Sequence, residues 1–323
     1  MSNLPVPIGG TVIISAELTH ALSSAEQYAL NEKAEATRRS YATAWRRFEE
    51  WCRRNNARAM PAHPKAVEAF VAYLADSGLK VATIDKHVAA ITYRHRMDDR
   101  DGVPPTGTEG VKAVLRGIRR TLGTRADRKA PATDKHVRAM IKALPDTLAG
   151  LRDRAMIAIG FSAAMRRSEL VALDVKHIER TPEGILVTIE RSKTDQEAAG
   201  RQVPILRGSK LKPVLHLDAW LLAAGITVGA LFRPVGKGGR VLDSRLTDRS
   251  VAEVVKHAAE LAKLDPTLFS GHSLRAGFVT SALEHGADPM KVMDITGHKQ
   301  VQTLKIYDRR AQAFKNHAGK GFL

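Results

Sequence analysis

A chain of 323 residues, 44% of them apolar, can hold two ordinary domains with real cores, and no run approaches the ~18 uninterrupted apolar residues of a membrane span. A single cysteine, Cys52, excludes an intrachain disulfide and any multi-cysteine zinc site, and residues 1–20 lack the charged start and clean apolar core of a secretory signal. Together these favour a cytoplasmic protein, and the formal net charge of +17, from 51 Lys+Arg against 34 Asp+Glu, suggests a polyanionic partner, because neutralising phosphates releases counterions; a merely soluble basic protein, or a ribosome-associated one, is the alternative.

In chain order, residues 34–55 read as the first strongly amphipathic helix. At about 100° per residue, Tyr41, Trp45, Phe48 and Cys52 share one face. Arg39, Arg46, Arg47, Arg53 and Arg54 fall opposite and form a basic stripe; a plain solvated face would look the same. Helical patterns follow at 64–78 and 80–97. A proline-glycine loop, "GVPPTGTE", then precedes a short basic helix bearing Lys112, Arg116, Arg119 and Arg120. The helix at 80–97, with Lys80, Lys86, His87, Arg94 and Arg96, is the candidate groove-facing element of this all-helical unit.

Residues 123–134, "GTRADRKAPATD", are charged and small, and end in a proline and a Thr-Asp cap signal, which suits a linker. The second domain is mixed. "RDRAMIAIGFSAAMRRSELVAL" reads as helix, break, helix. Strands at 184–190 and 200–206 flank the polar segment "RSKTDQEAA" as a hairpin. An amphipathic helix is expected at 247–264, with Arg245 and Arg249 near its start as further DNA contacts. Two more follow in "SLRAGFVTSALEHG" and "DPMKVMDITGH", with Gly286 as a cap between them.

The polar groups of this domain form an informative set: Arg166, Lys193, His272, Arg275, His298 and Tyr307. They include no carboxylate pair for a metal and no glycine-rich phosphate loop. They suit a phosphodiester attacked directly by a side chain. With a pKa of about 10, only roughly one tyrosine in a thousand is ionised at neutral pH. Two guanidiniums and nearby imidazoles favour the phenolate and stabilise the charge of a pentacoordinate phosphorus, and a hairpin lysine can protonate the leaving alkoxide. A phosphotyrosine ester conserves the bond energy, so no cofactor is called for.

At these residues the chain resembles the tyrosine recombinase (phage integrase) family, and the likeness runs over its whole length. "AAMRRSEL" resembles the family's Gly-Leu-Arg-x-Ser-Glu-Leu box. It implies Arg166, rather than Arg167, as the first catalytic arginine and Glu169 as its supporting acid. "RSKT" resembles the hairpin of the catalytic lysine, "GHSLRAGF" the His-x-x-Arg box, and "TGHKQVQTLKIYDR" the last box with its nucleophilic tyrosine. One departure is "SAAMRR", where the family often has Thr-Gly-Leu.

Taken singly, each residue has an ordinary structural explanation: Lys193 a solvated turn lysine, His298 a satisfied histidine, Tyr307 a packing aromatic. Their ordered conjunction carries the resemblance. It implies a mainly α, two-domain DNA clamp of Cre- or Xer-like layout, with a small β-hairpin in the second domain. The expected division is a tail at 1–20, a helical core-binding domain at 21–122, the linker at 123–134, and a catalytic domain at 135–323 with a tail from 308. That layout leaves no room for the separate arm-binding domain of lambda-like integrases. The resemblance further implies a site-specific recombinase of bacterial, phage or plasmid type, associated with the nucleoid. It would act as a homotetramer on two synapsed duplexes carrying inverted-repeat sites and pass through a Holliday junction. Accessory proteins are left open. A type IB topoisomerase-like relaxing enzyme, or a weakly active DNA-binding protein on the same scaffold, are the competing readings.

Overall fold

The computed structural model describes residues 15–99, 102–125, 129–190, 200–298, 300–304 and 319. The chain divides into two units, Met1–Asp127 and Arg128–Leu323. Among the described residues no helix is long and apolar enough to cross a membrane.

The first unit is helical. Helix α1, Ala16–Leu30, starts inside the segment expected as a tail, because Ser15 caps it by accepting the Leu18 N–H at 3.1 Å. Helix α2, Glu35–Arg54, buries Ala44, Trp45, Phe48 and Cys52, while Arg39, Arg46 and Arg53 stay exposed at seven-residue spacing, as the periodicity requires. Pro64 opens α3, Pro64–Asp76, at a position where no N–H is needed. Helix α4, Val81–Asp98, and helix α5, Glu109–Leu122, complete the unit. Their apolar faces meet in one core around Phe48, Phe70, Ile84, Ile91 and Val111, with the Phe48 and Phe70 rings 5.0 Å apart. Each such side chain contributes roughly 1.5–3 kcal/mol by leaving water.

In the second unit the expected linker is shorter than its composition suggests. Residues from 129 on are already fastened to the rest of this unit. The N–H groups of Ala130, Ala132 and Asp134 donate to Leu268 O, Ser273 O and Ser281 Oγ at 2.8, 2.9 and 2.9 Å. Gly277 permits this approach: a Cβ there would stand 1.8 Å from the Ala132 carbonyl oxygen. Helix α6, Asp134–Ala143, follows directly.

Helix α7, Leu148–Ser162, is buried almost all round, from Ala155 through Phe161, and forms the centre of the larger core. A tight turn leads to the short helix α8, Arg167–Ala172. The expected hairpin is the larger part of a three-stranded antiparallel sheet: β1, Ile178–Arg180, β2, Gly184–Ile189, and β3, Arg201–Leu206, in that order. Ile185 pairs with Ile205 and Val187 with Val203, which puts all four on the buried face.

Helix α9, Pro213–Ala224, was not anticipated. It packs on α7 and buries Trp220, whose indole N–H donates to the Leu231 carbonyl at 2.9 Å. Helix α10, Asp248–Leu261, helix α11, Gly271–Glu284, and helix α12, Pro289–Thr296, match the three expected helices within a few residues. Gly286, at φ +80°, ends the α11 segment as anticipated.

Candidate active site

Arg166, Arg275 and His298 come from three separate places in the second unit and gather at one locus. Arg166 precedes α8, where its backbone N–H donates to Glu169 Oε2 at 3.0 Å and its guanidinium to Glu169 Oε1 at 2.5 Å. Glu169 is 2% exposed, so this carboxylate both caps the helix and holds the arginine. Arg167, by contrast, is exposed and lies 3.8 Å from Asp248.

Arg275 lies on α11 and is also 2% exposed. Its Nη1 donates to the Ala164 carbonyl at 2.8 Å, and its Nη2 lies 3.3 Å from His298 Nε2. Ala164 sits in the turn between α7 and α8 at φ +48°, a region that favours glycine. The departure from Thr-Gly-Leu therefore falls where the backbone is least suited to a side chain, and the carbonyl that orients Arg275 is presented all the same.

His298 follows α12, whose end is made by Gly297 in the left-handed conformation at φ +67°. Its Nδ1 is 2.7 Å from the Thr296 hydroxyl. Burial, followed by the charges of Arg275 and Arg166 and smaller contributions from His272 and Arg201, pushes the imidazole down to about 4. His298 is therefore neutral at pH 7. His272 is exposed in the first turn of α11, one turn before Arg275 on the same helix, and its N–H donates to Ser270 Oγ at 3.3 Å. Lys193 and Tyr307 lie outside the described residues, as does the tail 308–323 apart from Gly319.

Two participants escaped the sequence reading. Arg201, the first residue of β3, donates from Nη1 to the Ile295 carbonyl at the end of α12. Its Nη2 is 3.6 Å from Glu169 Oε2, an ion pair rather than a hydrogen bond. Its Nε packs against Gly297, 3.2 Å from where a Cβ would stand. Burial lowers the Arg201 pKa and the Glu169 carboxylate opposes that shift. Arg201 thus ties the turn carrying His298 to the carboxylate holding Arg166. A signal existed: Arg201, Val203 and Ile205 alternate on one face, so a cation stood in the inward register of an apolar strand. The second is Thr296, fully buried, which no pattern marked.

With Arg166, Arg201 and Arg275 against Glu169, these fixed charges leave a net positive site bordered by a neutral imidazole. That arrangement stabilises an anion gaining charge.

The expected DNA-contact residues divide. Arg39 and Arg46 on α2, Lys80 at the start of α4, Lys86 and Arg94 on α4, and Arg116, Arg119 and Arg120 on α5 are exposed. Arg39, Arg116 and Arg119 also form ion pairs with Glu35, Glu109 and Asp85 at 3.7, 2.5 and 2.7 Å. On α10, Arg249 is exposed and pairs with Glu253 at 3.0 Å.

His87 is a correction. It is 4% exposed, its Nδ1 lies 3.2 Å from the Ala44 carbonyl and its ring stands edge-on to Phe70, so it belongs to the core and not to a groove-facing surface. Burial holds its pKa below the ordinary value. Arg245 is exposed as expected, and its guanidinium donates to Val171 O, Leu173 O and Asp174 Oδ1 at 2.7, 3.0 and 2.5 Å and braces the end of α8.

The model of the phage integrase family matches residues 132–313. The chain is 35% identical over 290 residues to an integrase/recombinase xerD homolog of Selenomonas ruminantium, covering 88% of this chain and 85% of that protein. It is 28% identical over 298 residues to the recombinase cre of Escherichia phage P1, covering 85% and 84%. Among solved structures, the Tn1549 transposon integrase in complex with transposon right-end DNA aligns at a TM-score of 0.62 and 15% identity, covering 90% of this chain and 97% of that one.

Proposed function

Because the chain belongs to the phage integrase (tyrosine recombinase) family, we propose that it is a site-specific recombinase that cuts and rejoins double-stranded DNA through a 3′-phosphotyrosine ester at Tyr307. The observation that carries this reading is the convergence of Arg166, Arg275 and His298 on one net-positive locus.

The scissile phosphate would sit against the two guanidiniums. Tyr307 Oη gives its proton to water and attacks phosphorus, the bond from phosphorus to the 5′ oxygen breaks, and Lys193 supplies the proton that the departing 5′ oxygen needs. Arg166 and Arg275 hold the non-bridging oxygens as their charge rises, and His272 and His298 line the same site. Attack by a 5′ hydroxyl of a second duplex on the ester reverses the step, so neither nucleotide nor metal is required. Repeated on the other strand, this gives pairwise exchange through a Holliday junction by a homotetramer on two inverted-repeat sites. The exposed arginines and lysines of α2, α4 and α5 supply phosphate contacts in this reading.

The test is covalent capture on nicked duplexes from which a short cleaved fragment diffuses away. Wild type forms a protein–DNA adduct that survives denaturation, and Tyr307→Phe binds the same DNA without forming one. An adduct of equal yield with Tyr307→Phe would overturn the assignment.

A further inference from the structure

We propose that Thr296 is a positioning residue that fixes which ring nitrogen of His298 carries the proton, and through it the orientation of Arg275. The inference rests on reading Arg275 and His298 as parts of the recombinase site.

Thr296 is fully buried in the last turn of α12. Its hydroxyl lies 2.8 Å from the Val292 carbonyl, 3.3 Å from the Met293 carbonyl and 2.7 Å from His298 Nδ1. A hydroxyl has one hydrogen and two lone pairs, so only two arrangements need comparing. In the first, Thr296 donates back to Val292 O and accepts from His298 Nδ1–H. The imidazole then presents a lone pair at Nε2, which accepts from Arg275 Nη2 at 3.3 Å. In the second, Thr296 donates to Nδ1 and the ring carries its hydrogen on Nε2. That hydrogen would face a guanidinium N–H, donor against donor, beside a positive charge. Only the first arrangement satisfies every contact.

A protonated ring would repeat the second conflict, in keeping with the low proton affinity of His298. Arg275 is thereby held from two sides, by the Ala164 carbonyl on Nη1 and by the His298 lone pair on Nη2. Valine at 296 keeps the shape and removes the hydroxyl. The Nδ1–H then has no acceptor, which offsets the Arg275 conflict that disfavours Nε2–H, and the ring shifts toward Nε2–H with loss of the Arg275 anchor for part of the population.

The experiment uses the full chain with Thr296→Val, Thr296→Ala and Thr296→Ser. Histidine 15N resonances, with His298 assigned by its loss in His298→Asn, report the tautomer without DNA. Cleavage of preformed complexes on nicked duplexes reports the bound rate, separately from DNA affinity. Wild type and Thr296→Ser should show the Nδ1–H pattern. Thr296→Val and Thr296→Ala should show a mixed or Nε2–H pattern and cleave about tenfold more slowly at unchanged DNA affinity, the loss of one hydrogen bond. The alanine variant supplies the same reading if valine unfolds the chain. An Nδ1–H ring in folded Thr296→Val or Thr296→Ala, or wild-type bound cleavage rates in both, would overturn the proposal. Absence of any Tyr307-dependent adduct from wild type would instead sink the recombinase reading, while the resonances would still decide the role of Thr296.

Discussion

Arg275 Nη2 and His298 Nε2 meet at 3.3 Å although 23 residues and a helix–turn–helix passage separate them in the chain. The contact joins the His-x-x-Arg box to the last box, and it exists because α11 and α12 pack against one another around Val279, Leu283 and Val292. The reaction proposed for this site therefore depends on helix packing as much as on the presence of the two residues.

Removing one guanidinium should expose that dependence. Arg275→Ala and Arg166→Ala are each expected to lower the cleavage rate of bound DNA by about 10²–10³, as loss of one preorganised donor to a developing oxyanion does. Binding should fall far less, since the exposed cations of α2, α4 and α5 are left in place. Single-turnover cleavage at saturating protein separates the two quantities, and near-wild-type rates would contradict a catalytic role for the arginine removed.

Glu169 is the buried counter-charge for two arginines, so its loss should be read in stability. Glu169→Ala removes the carboxylate that both Arg166 and Arg201 pair with and removes a helix cap. Breaking a buried pair costs roughly 3–5 kcal/mol, and the partial water access of these guanidiniums puts the expected loss near the lower limit. Urea unfolding measures it directly. A change below about 1 kcal/mol would show that the pair is not a structural anchor.

Arg201 should behave differently from a surface arginine. Arg201→Met removes the bond to Ile295 O and the attraction to Glu169, loosening the turn that carries His298. Bound cleavage is expected to slow by about tenfold or more, the loss of one charge-assisted bond. Arg201→Lys, which keeps the charge without the fork, should fall between the methionine variant and wild type. Equal rates for all three would assign Arg201 to packing alone.

His298 gives the stability curve a defined direction with pH. Its folded pKa, about 4, lies below the ordinary value of 6.5, so the unfolded chain binds the proton first. Stability is fully present above about pH 6.5, falls as pH drops toward 4, and loses no more from this group below that. Since the ring is only half enclosed, the contribution is on the order of 1–2 kcal/mol. His87 and His216, also lowered by burial, act in the same sense. Melting temperatures of wild type and His298→Asn between pH 7 and pH 4 test this: the variant's decline should be shallower, and parallel curves would contradict it.

The corrected basic surface is also testable. Lys86→Ala should reduce the slope of log affinity against log salt by about 0.9, as loss of one phosphate contact does. His87→Ala should leave that slope unchanged and cost roughly 2 kcal/mol of folding stability, because it opens the core beside Phe70. The reverse pattern would return His87 to the DNA surface.

How much of this was legible beforehand follows physical lines. The apolar spacing of Trp45, Phe48 and Cys52 set which face of α2 would be buried, whatever packed on it. The alternation around Val203 and Ile205 marked a strand in the same way. The ordered boxes named Arg166, His272, Arg275 and His298 because local residue types carry that information. Helices α1 and α9 were missed for lack of a distinct signal. The Ser15 cap of α1 is a single local hydrogen bond, and α9 is apolar over most of its surface, so no polar face announced it.

Only the tertiary structure decided what each polar side chain faces. Periodicity reports a direction from the helix axis and not the neighbour found there. His87 lies on α4 among basic residues, yet the Ala44 carbonyl and the Phe70 ring enclose it. Arg245 stays exposed, yet three acceptors around the end of α8 set the direction of its guanidinium. Thr296 and Arg201 matter for the site because Val292, Ile295, Glu169 and His298 converge on them, and a linear sequence states none of those distances.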